Sequence, residues 1–368
     1  MSSDFTGAIF FYCCPPSPPE YKKIIYQHAI VCLAEGLKSL GIPFYSDRNF
    51  WQIVPDEEKY LFNHDPTVTP DDCSIVILHT AWFTSGMELP EGLFHPKRNY
   101  ITVYFESEAD AKHAWKPEFR QFDFIFRTHY NRRFRYPSNF RPWAFGLSNR
   151  ILRELEVLPS FLERKRNLLV NFRLGHSIRK VIQEEFLPRL ETVLPIDNSV
   201  DGLDAPPTDP YAYLQWVQTV RRHYPSYYRR LRETAACACF GGLLINPWPL
   251  DAFGPSNLQD RIINKFLSMV DTRPRRIMNW ESWRFWEAMA AGCVAFHVDF
   301  DKYGSFLPVM PENWRHYIGI DLDNMQAAVD RIAGEPEILE RISTEGRLWA
   351  LENYSPVPTA RRFLETIR

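Results

Sequence analysis

What this chain lacks narrows its class before any motif is read. Net charge is nearly absent: 43 lysines and arginines against 45 aspartates and glutamates leave −2 over 368 residues. No global field therefore draws the chain to nucleic acid or to an anionic membrane. No stretch reaches the roughly 18 uninterrupted apolar residues of a spanning helix, and no basic segment leads into an apolar one at the N-terminus. These absences predict a soluble cytoplasmic protein with, at most, peripheral membrane contact. Cysteines number seven, an odd count, with no C-x-x-C pair; they sit mostly in apolar runs and read as reduced core residues. No G-x-G-x-x-G, P-loop, G-x-S-x-G or H-E-x-x-H occurs, which counts against dehydrogenase, kinase, hydrolase and zinc-protease chemistry. Solenoid-length repeats and low-complexity tracts are missing too.

What is present is aromatic: 15% Phe, Trp and Tyr within 45% hydrophobic residues. Such an excess fills a large core and suits carbohydrate stacking. The length exceeds what one core normally serves, so two domains are expected. A strand-like run at Ala8 to Cys14 is broken by the Pro15 to Pro19 cluster, and those at Ile42 to Tyr45, Ser74 to Leu78, Tyr100 to Phe105 and Phe122 to Arg127 each end in polar residues. A helical period from Tyr21 to Ser39, stopped by Gly41, gives a β-α-β opening. In an open α/β sheet such strand tips line one ligand crevice. A second cycle starts with strand Leu168 to Phe172 and helix Ser177 to Leu190, then a polar, proline-containing loop from Asp197 to Pro210, and runs through the helix Tyr211 to Val220 and the segment Tyr227 to Thr234 to strand Ala236 to Phe240. A helix around Leu258 to Met269, a strand near Tyr317 to Ile320 and three closing helical segments follow.

The densest signal is Asn279 to Phe296. Polar residues Glu281, Arg284 and Glu287 lie on a helix whose small residues Ala288, Ala290 and Ala291 allow close packing. Gly292 supplies the cap and Cys293 to Phe296 reads as an inner parallel strand. A plain surface ladder of charges would show the same spacing, but not the Ala-Ala-Gly-Cys-Val continuation. The run Arg284-Phe285-Trp286-Glu287-Ala288-Met289-Ala290-Ala291-Gly292-Cys293-Val294 resembles the donor-site segment of GT-B glycosyltransferases, especially the exostosin-like and group 1-like branches. That resemblance implies two Rossmann-like, doubly wound α/β domains facing each other across a cleft. It also implies transfer of a sugar from a UDP- or GDP-linked donor to a glycan or other hydroxyl acceptor, as in polysaccharide biosynthesis. Glu287 would bind the donor ribose and Arg284 its phosphates. Many group 1 enzymes carry a second glutamate where Asn279 stands; Glu281 is acidic but out of register, and is kept among the donor-side candidates. The departure supports an alternative, a non-catalytic glycosyltransferase-like protein that binds a glycan or sugar nucleotide.

The expected division is an acceptor-binding domain over 1–160, a nucleotide-sugar domain over 161–354, and a final helix over 355–368 that crosses back, as in GT-B proteins. The turn Arg173-Leu174-Gly175-His176-Ser177-Ile178-Arg179-Lys180 follows a strand and opens a helix, a setting suited to a diphosphate. It loosely resembles the GT-B pattern that places Arg and Lys on phosphates, which makes Arg173, Arg179 and Lys180 candidates. In the first domain Glu106 sits at a strand tip, where a carboxylate could take the proton of an attacking hydroxyl. The segment after it faintly resembles α-1,3-fucosyltransferase-like enzymes, in which such a glutamate is the proposed base. His79 is the rival base, with a structural histidine as the competing reading.

Two D-x-D triplets, Asp299-Phe300-Asp301 and Asp321-Leu322-Asp323, are about what composition gives by chance, so no metal is expected. Arg127, Arg132, Arg133, Arg135 and Arg141 make a local basic, aromatic patch. It reads as a solvated loop, with an anionic acceptor or a membrane face as alternatives.

Overall fold

Short apolar runs separated by helical segments assemble into two all-parallel sheets. The computed structural model describes residues 5–14, 26–108, 114, 116–172, 174–199, 205–245 and 276–368. The first sheet has six strands in the order β2-β1-β5-β6-β7-β8. These are β1 Ile9–Phe11, β2 Phe44–Ser46, β5 Ile75–His79, β6 Ile101–Glu106, β7 Phe124–Arg127 and β8 Phe140–Pro142. The second has five, ordered β10-β9-β11-β14-β15: β9 Lys165–Leu169, β10 Ile196–Asp197, β11 Thr234–Ala238, β14 Val294–Val298 and β15 Ile318–Ile320. Two antiparallel hairpins complete the set, β3 Phe50–Gln52 with β4 Tyr60–Phe62 and β12 Leu243–Ile245 with β13 Arg276–Met278.

Alternation along each strand decides which face its side chains cover. Ile9, Phe11, Ile75, Ile77, Val103 and Phe105 meet the His28–Ser39 helix, while Phe10, Val76, Leu78 and Tyr104 meet a second apolar layer with Trp82 and Phe119. Both faces are therefore dry, as a parallel sheet requires. A single large cluster spanning Ala144 to Tyr354 fills the second lobe. All seven cysteines are buried and free.

The Pro356–Thr366 helix packs on the His28–Ser39 helix, adding Ala360, Phe363, Leu364 and Ile367 to the first lobe's core. The two helices approach so closely that a Cβ on Gly36 would stand 2.0 Å from the Pro356 carbonyl oxygen. Between the lobes the connecting segment is held from several sides. Phe145 N–H donates to Glu281 Oε1 at 2.6 Å and Asn149 N–H to Glu35 Oε2 at 2.7 Å. Leu147 N–H donates to the Tyr354 carbonyl at 2.8 Å.

Several elements depart from the sequence reading for identifiable reasons. The hairpin β3–β4 and the edge strand β8 carry no clear alternation, and β8 ends in Pro142, which only an edge tolerates. Strand β9 begins at Lys165, upstream of the apolar run, because its charged first half pairs with Thr234 while its side chains stay in solvent. The helical run from Ser177 to Leu190 contains a π-type turn at Ile182–Phe186. The Pro15 to Pro19 cluster, the start of the first helix at Tyr21 and the Leu258 to Met269 helix lie outside the described residues.

Candidate functional site

The tips of β5, β6 and β7 form one wall of the interlobe cleft. Glu106 ends β6 and is fully buried, directly across the ladder from Arg127. Its Oε1 accepts from Glu108 N–H at 2.7 Å and from the Thr80 hydroxyl at 3.2 Å, while Oε2 is buried without a hydrogen-bond partner. Burial pushes this carboxyl up to about 7, against the opposing pull of the Arg127 guanidinium.

His79, the rival base, is committed elsewhere. Its Nδ1 accepts from Ala81 N–H at 3.1 Å, capping the Thr80–Thr84 helix, so the ring proton belongs on Nε2, 3.2 Å from Ser107 Oγ. Burial lowers the ring to about 3, and no lone pair remains to receive a proton. A histidine not singled out from the sequence stands closer to the cleft. His129, just beyond β7, is buried with an unpartnered Nδ1, held neutral by burial, then by Arg127 and by His176 of the opposite lobe. The strand-tip rule was the signal for it, since Arg127 to His129 are the polar residues that follow the last apolar run of that sheet.

The opposite wall is cationic. His176 Nδ1 accepts from Gly242 N–H at 2.8 Å. This is possible because Gly242 takes φ 100, where a Cβ would come within 2.6 Å of Ile277. Arg179 is half-buried over the Phe172 ring and donates from Nε to the Phe240 carbonyl at 2.8 Å. Burial, then the neighbouring charge of Arg284, lowers it to about 10. Arg284 lies in the first turn of the Trp283–Ala290 helix, and its buried Nε has no hydrogen-bond partner. Two like charges brought near each other, partly out of water, are an arrangement that can hold an anion.

One helical turn on, Glu287 is buried and accepts from the Tyr228 hydroxyl at 2.7 Å. Arg150 donates to that same hydroxyl at 2.7 Å and contacts His223 Nδ1 at 2.9 Å; His223 Nε2 in turn lies 3.2 Å from Glu154. The adjacent Tyr227 hydroxyl is buried without a partner, its pKa pushed well up by burial and then by Glu287. No spacing rule could have found Tyr228 or Arg150, which lie 59 and 137 residues away from Glu287.

Other candidates fall differently. Lys180 is exposed, and Arg173 lies outside the described residues. Glu281 precedes the N-cap Ser282; its Oε1 accepts from Phe145 N–H and, at 2.7 Å, from the Trp286 indole, while its buried Oε2 has no hydrogen-bond partner. Its bonded oxygen ties the interlobe segment to the helix, a structural duty. The basic patch is likewise not a solvated loop throughout. Arg127 is wholly buried and donates to the Glu108 carbonyl at 3.1 Å. Arg132 pairs with Asp301 at 3.0 Å and Arg133 grips the Lys302 carbonyl, so this loop latches onto the second lobe. Asn131 completes the latch, donating to the Tyr303 carbonyl at 2.9 Å and the Ile277 carbonyl at 3.1 Å. The D-x-D carboxylates are engaged as well. Asp299 caps Lys302 N–H at 3.0 Å, Asp301 pairs with Arg132, and Asp321 and Asp323 both pair with Lys302. Among the described residues no helix is long and apolar enough to cross a membrane.

No protein-family model matches this sequence, and comparison with curated protein sequences gives no match. Solved structures do match. AviGT4, a glycosyltransferase involved in avilamycin A biosynthesis, is 14% identical, covers 98% of this chain and 97% of its own, and superposes with a TM-score of 0.50. An alpha-glucosyltransferase in complex with UDP is 8% identical, over 98% of this chain and 100% of its own, with a TM-score of 0.51. The likeness spans both lobes, and the chain has the GT-B fold: two Rossmann-like α/β domains facing each other across a cleft.

Proposed function

We propose that this GT-B chain is a glycosyltransferase that moves a sugar from a UDP- or GDP-linked donor to a hydroxyl of a glycan or related acceptor, without an obligatory metal. One observation carries the reading. Arg179, Arg284 and Glu287 gather at the carboxyl edge of the second sheet, with the buried Arg284 Nε unpartnered among them, and His176 beside Arg179 lies near enough to His129 of the other lobe to lower its pKa. The guanidinium groups meet the diphosphate, whose negative charge grows as the sugar departs. Glu287, oriented by Tyr228, accepts from the ribose hydroxyls. The two structural neighbours are a glycosyltransferase and a UDP-bound glucosyltransferase, which agrees with this assignment. We take residues 1–160 as the acceptor unit, 161–354 as the donor unit and 355–368 as the returning helix, in a cytoplasmic protein.

Within this reading Glu106 takes the proton from the acceptor hydroxyl, a step that belongs to an inverting reaction. Burial, which pushes its pKa up to about 7, suits it to hold and release a proton near neutral pH. Product configuration is the first test: NMR should show the anomeric centre inverted, and a retained centre removes the role from Glu106. Titration calorimetry with UDP, GDP and CDP tests the donor site. Saturable binding of a nucleoside diphosphate is expected, and no binding of any of them refutes the donor assignment. Release of nucleotide from the sugar-linked form without acceptor separates an enzyme from a binding protein.

A further inference from the structure

Glu287 is reached from the interlobe segment by a continuous chain of side chains. The Asn149–Glu154 helix opens where that segment enters the second lobe, whose core takes up Ile151, and its Arg150 is 3% exposed. The guanidinium stands between the lobes, its carbon 5.7 Å from the ring centroid of Tyr26 in the first and 5.9 Å from that of Tyr228 in the second. Chemistry fixes the direction of the bonds around it. His28 Nε2 lies 3.0 Å from the Gly146 carbonyl and must carry the ring proton, so Nδ1 accepts from the Tyr26 hydroxyl at 3.0 Å. The Tyr26 oxygen then presents a lone pair to the Arg150 side chain beside it. On the other side Arg150 Nη1 lies 2.9 Å from His223 Nδ1 and donates to the Tyr228 hydroxyl at 2.7 Å. A guanidinium has donors only, so the Tyr228 oxygen must accept, and its single proton is left for Glu287 Oε1 at 2.7 Å. Burial holds Tyr228 well above the ordinary tyrosine range, which keeps that proton in place. Oε1 is thereby committed, while Oε2 has no hydrogen-bond partner among the described residues and is not sealed from solvent.

We infer that Arg150 is a positioning residue for the donor site: held between the lobes, it aims the Tyr228 hydroxyl at Glu287 Oε1 and so presents Oε2 to the ribose hydroxyls of a nucleoside diphosphate. The inference rests on the donor reading of Glu287 and adds to it a dependence on the other lobe. Tyr26 comes from the first lobe, Arg150 from the crossing segment and Tyr228 from the second lobe. Ribose recognition is then a property of the joined lobes, not of the second lobe alone. Without Arg150 the phenol is free to turn its proton away from Oε1, and the carboxylate loses the bond that sets its plane.

The test is calorimetric titration of the full chain with UDP and GDP and with their 2′,3′-dideoxy counterparts, which keep base and diphosphate but offer no ribose hydroxyl. The readout is the ratio of the two affinities, which a loss of stability alone does not move. In the wild type the hydroxylated nucleotide should bind about tenfold tighter. Arg150→Met should bring the two affinities within about twofold of each other, with the change falling on the hydroxylated nucleotide. Arg150→Lys should recover part of the preference by restoring a donor to Tyr228. Tyr228→Phe removes one hydroxyl and keeps the ring, so it serves even if Arg150→Met does not fold, and it should act alike. The double variant should lose no more than either single one, because the two side chains act in series. Tyr26→Phe, in the lobe opposite the donor, should lower the preference about threefold. A wild-type preference kept by folded Arg150→Met or by Tyr228→Phe, when Glu287→Gln loses it, overturns the positioning role and leaves the ribose reading standing. An equal fall in both affinities makes Arg150 purely structural and overturns the role as well. A wild type that binds both nucleotides equally, or neither, removes the ribose reading and the positioning role with it. An unchanged preference in Tyr26→Phe overturns the dependence on the first lobe.

Discussion

The two walls of the cleft treat ionisable groups in opposite ways. On the first lobe, burial drives Glu106 up to about 7 and His79 down to about 3, and it pushes His129 well below its ordinary value, so each tends toward its neutral form. On the second lobe Arg179 and Arg284 remain cations despite half-burial and mutual repulsion, because a guanidinium does not give up its proton in a protein. Under the proposed function, one wall would move a proton and the other would hold negative charge. Closure of one on the other would bring together the two requirements of glycosyl transfer, an activated hydroxyl and a stabilised leaving diphosphate.

The largest effect should come from breaking the neutral wall at its base. Glu106→Gln should lower turnover by roughly 10²-fold or more with donor affinity little changed, the pattern of a lost proton-transfer partner. Steady-state kinetics with a separate nucleotide titration decides it; full turnover in the variant disproves the assignment. In the wild type the rate should rise as pH climbs through about 7, since the base must be ionised. Stability runs the other way. A carboxyl raised from 4.5 to about 7 contributes fully below pH 4.5 and loses its contribution as pH rises to about 7. Thermal melts across that window should therefore fall where activity grows.

Breaking the charged wall comes next. Arg284→Ala should weaken nucleoside diphosphate binding by roughly 10- to 100-fold, the range for losing a charge-assisted hydrogen bond. Glu287→Ala should cost about tenfold in the same calorimetric experiment and should also lower the melting temperature, because the buried Tyr228 hydroxyl loses its acceptor; undiminished affinity in the folded variant would end its ribose role. The smallest change sharpens the comparison without destroying either wall. Glu108 is half-exposed and its charge raises Glu106. Glu108→Gln should therefore move the rising limb of the rate profile to lower pH, and a shift to higher pH would contradict the electrostatic account.

Much of this architecture was legible because parallel strands covered on both faces must be short, apolar and bounded by polar tips. Val76, Val103 and Ala295 each lie in such runs, and Gly292 does take the positive φ of 67 that a cap demands. Arg284 and Glu287 could be singled out because they share one helix face. What could not be read is the set of contacts made across long sequence separations. Glu281 has the charge and nearly the position of a donor ligand, and only the fold shows it bonded to Phe145. Arg132 and Arg133 look like a solvated cluster until the short helix Phe300–Tyr303 is placed beneath them. His129 was visible as a tip residue, but its unpartnered nitrogen depends on the burial of everything around it.

The helix Pro356–Thr366 has a consequence for the order in which this protein can come into being. Phe363 and Leu364 belong to the same core as Ile9, Ile77 and Phe105, and Gly36 is shaped to the Pro356 carbonyl. A ribosome delivers those partners between about 260 and 355 residues apart, so the lobe begun first is covered late. Until then its apolar helix face stays uncovered, a sticky intermediate of the kind that chaperones recognise, while the later lobe can close on its own core as it emerges.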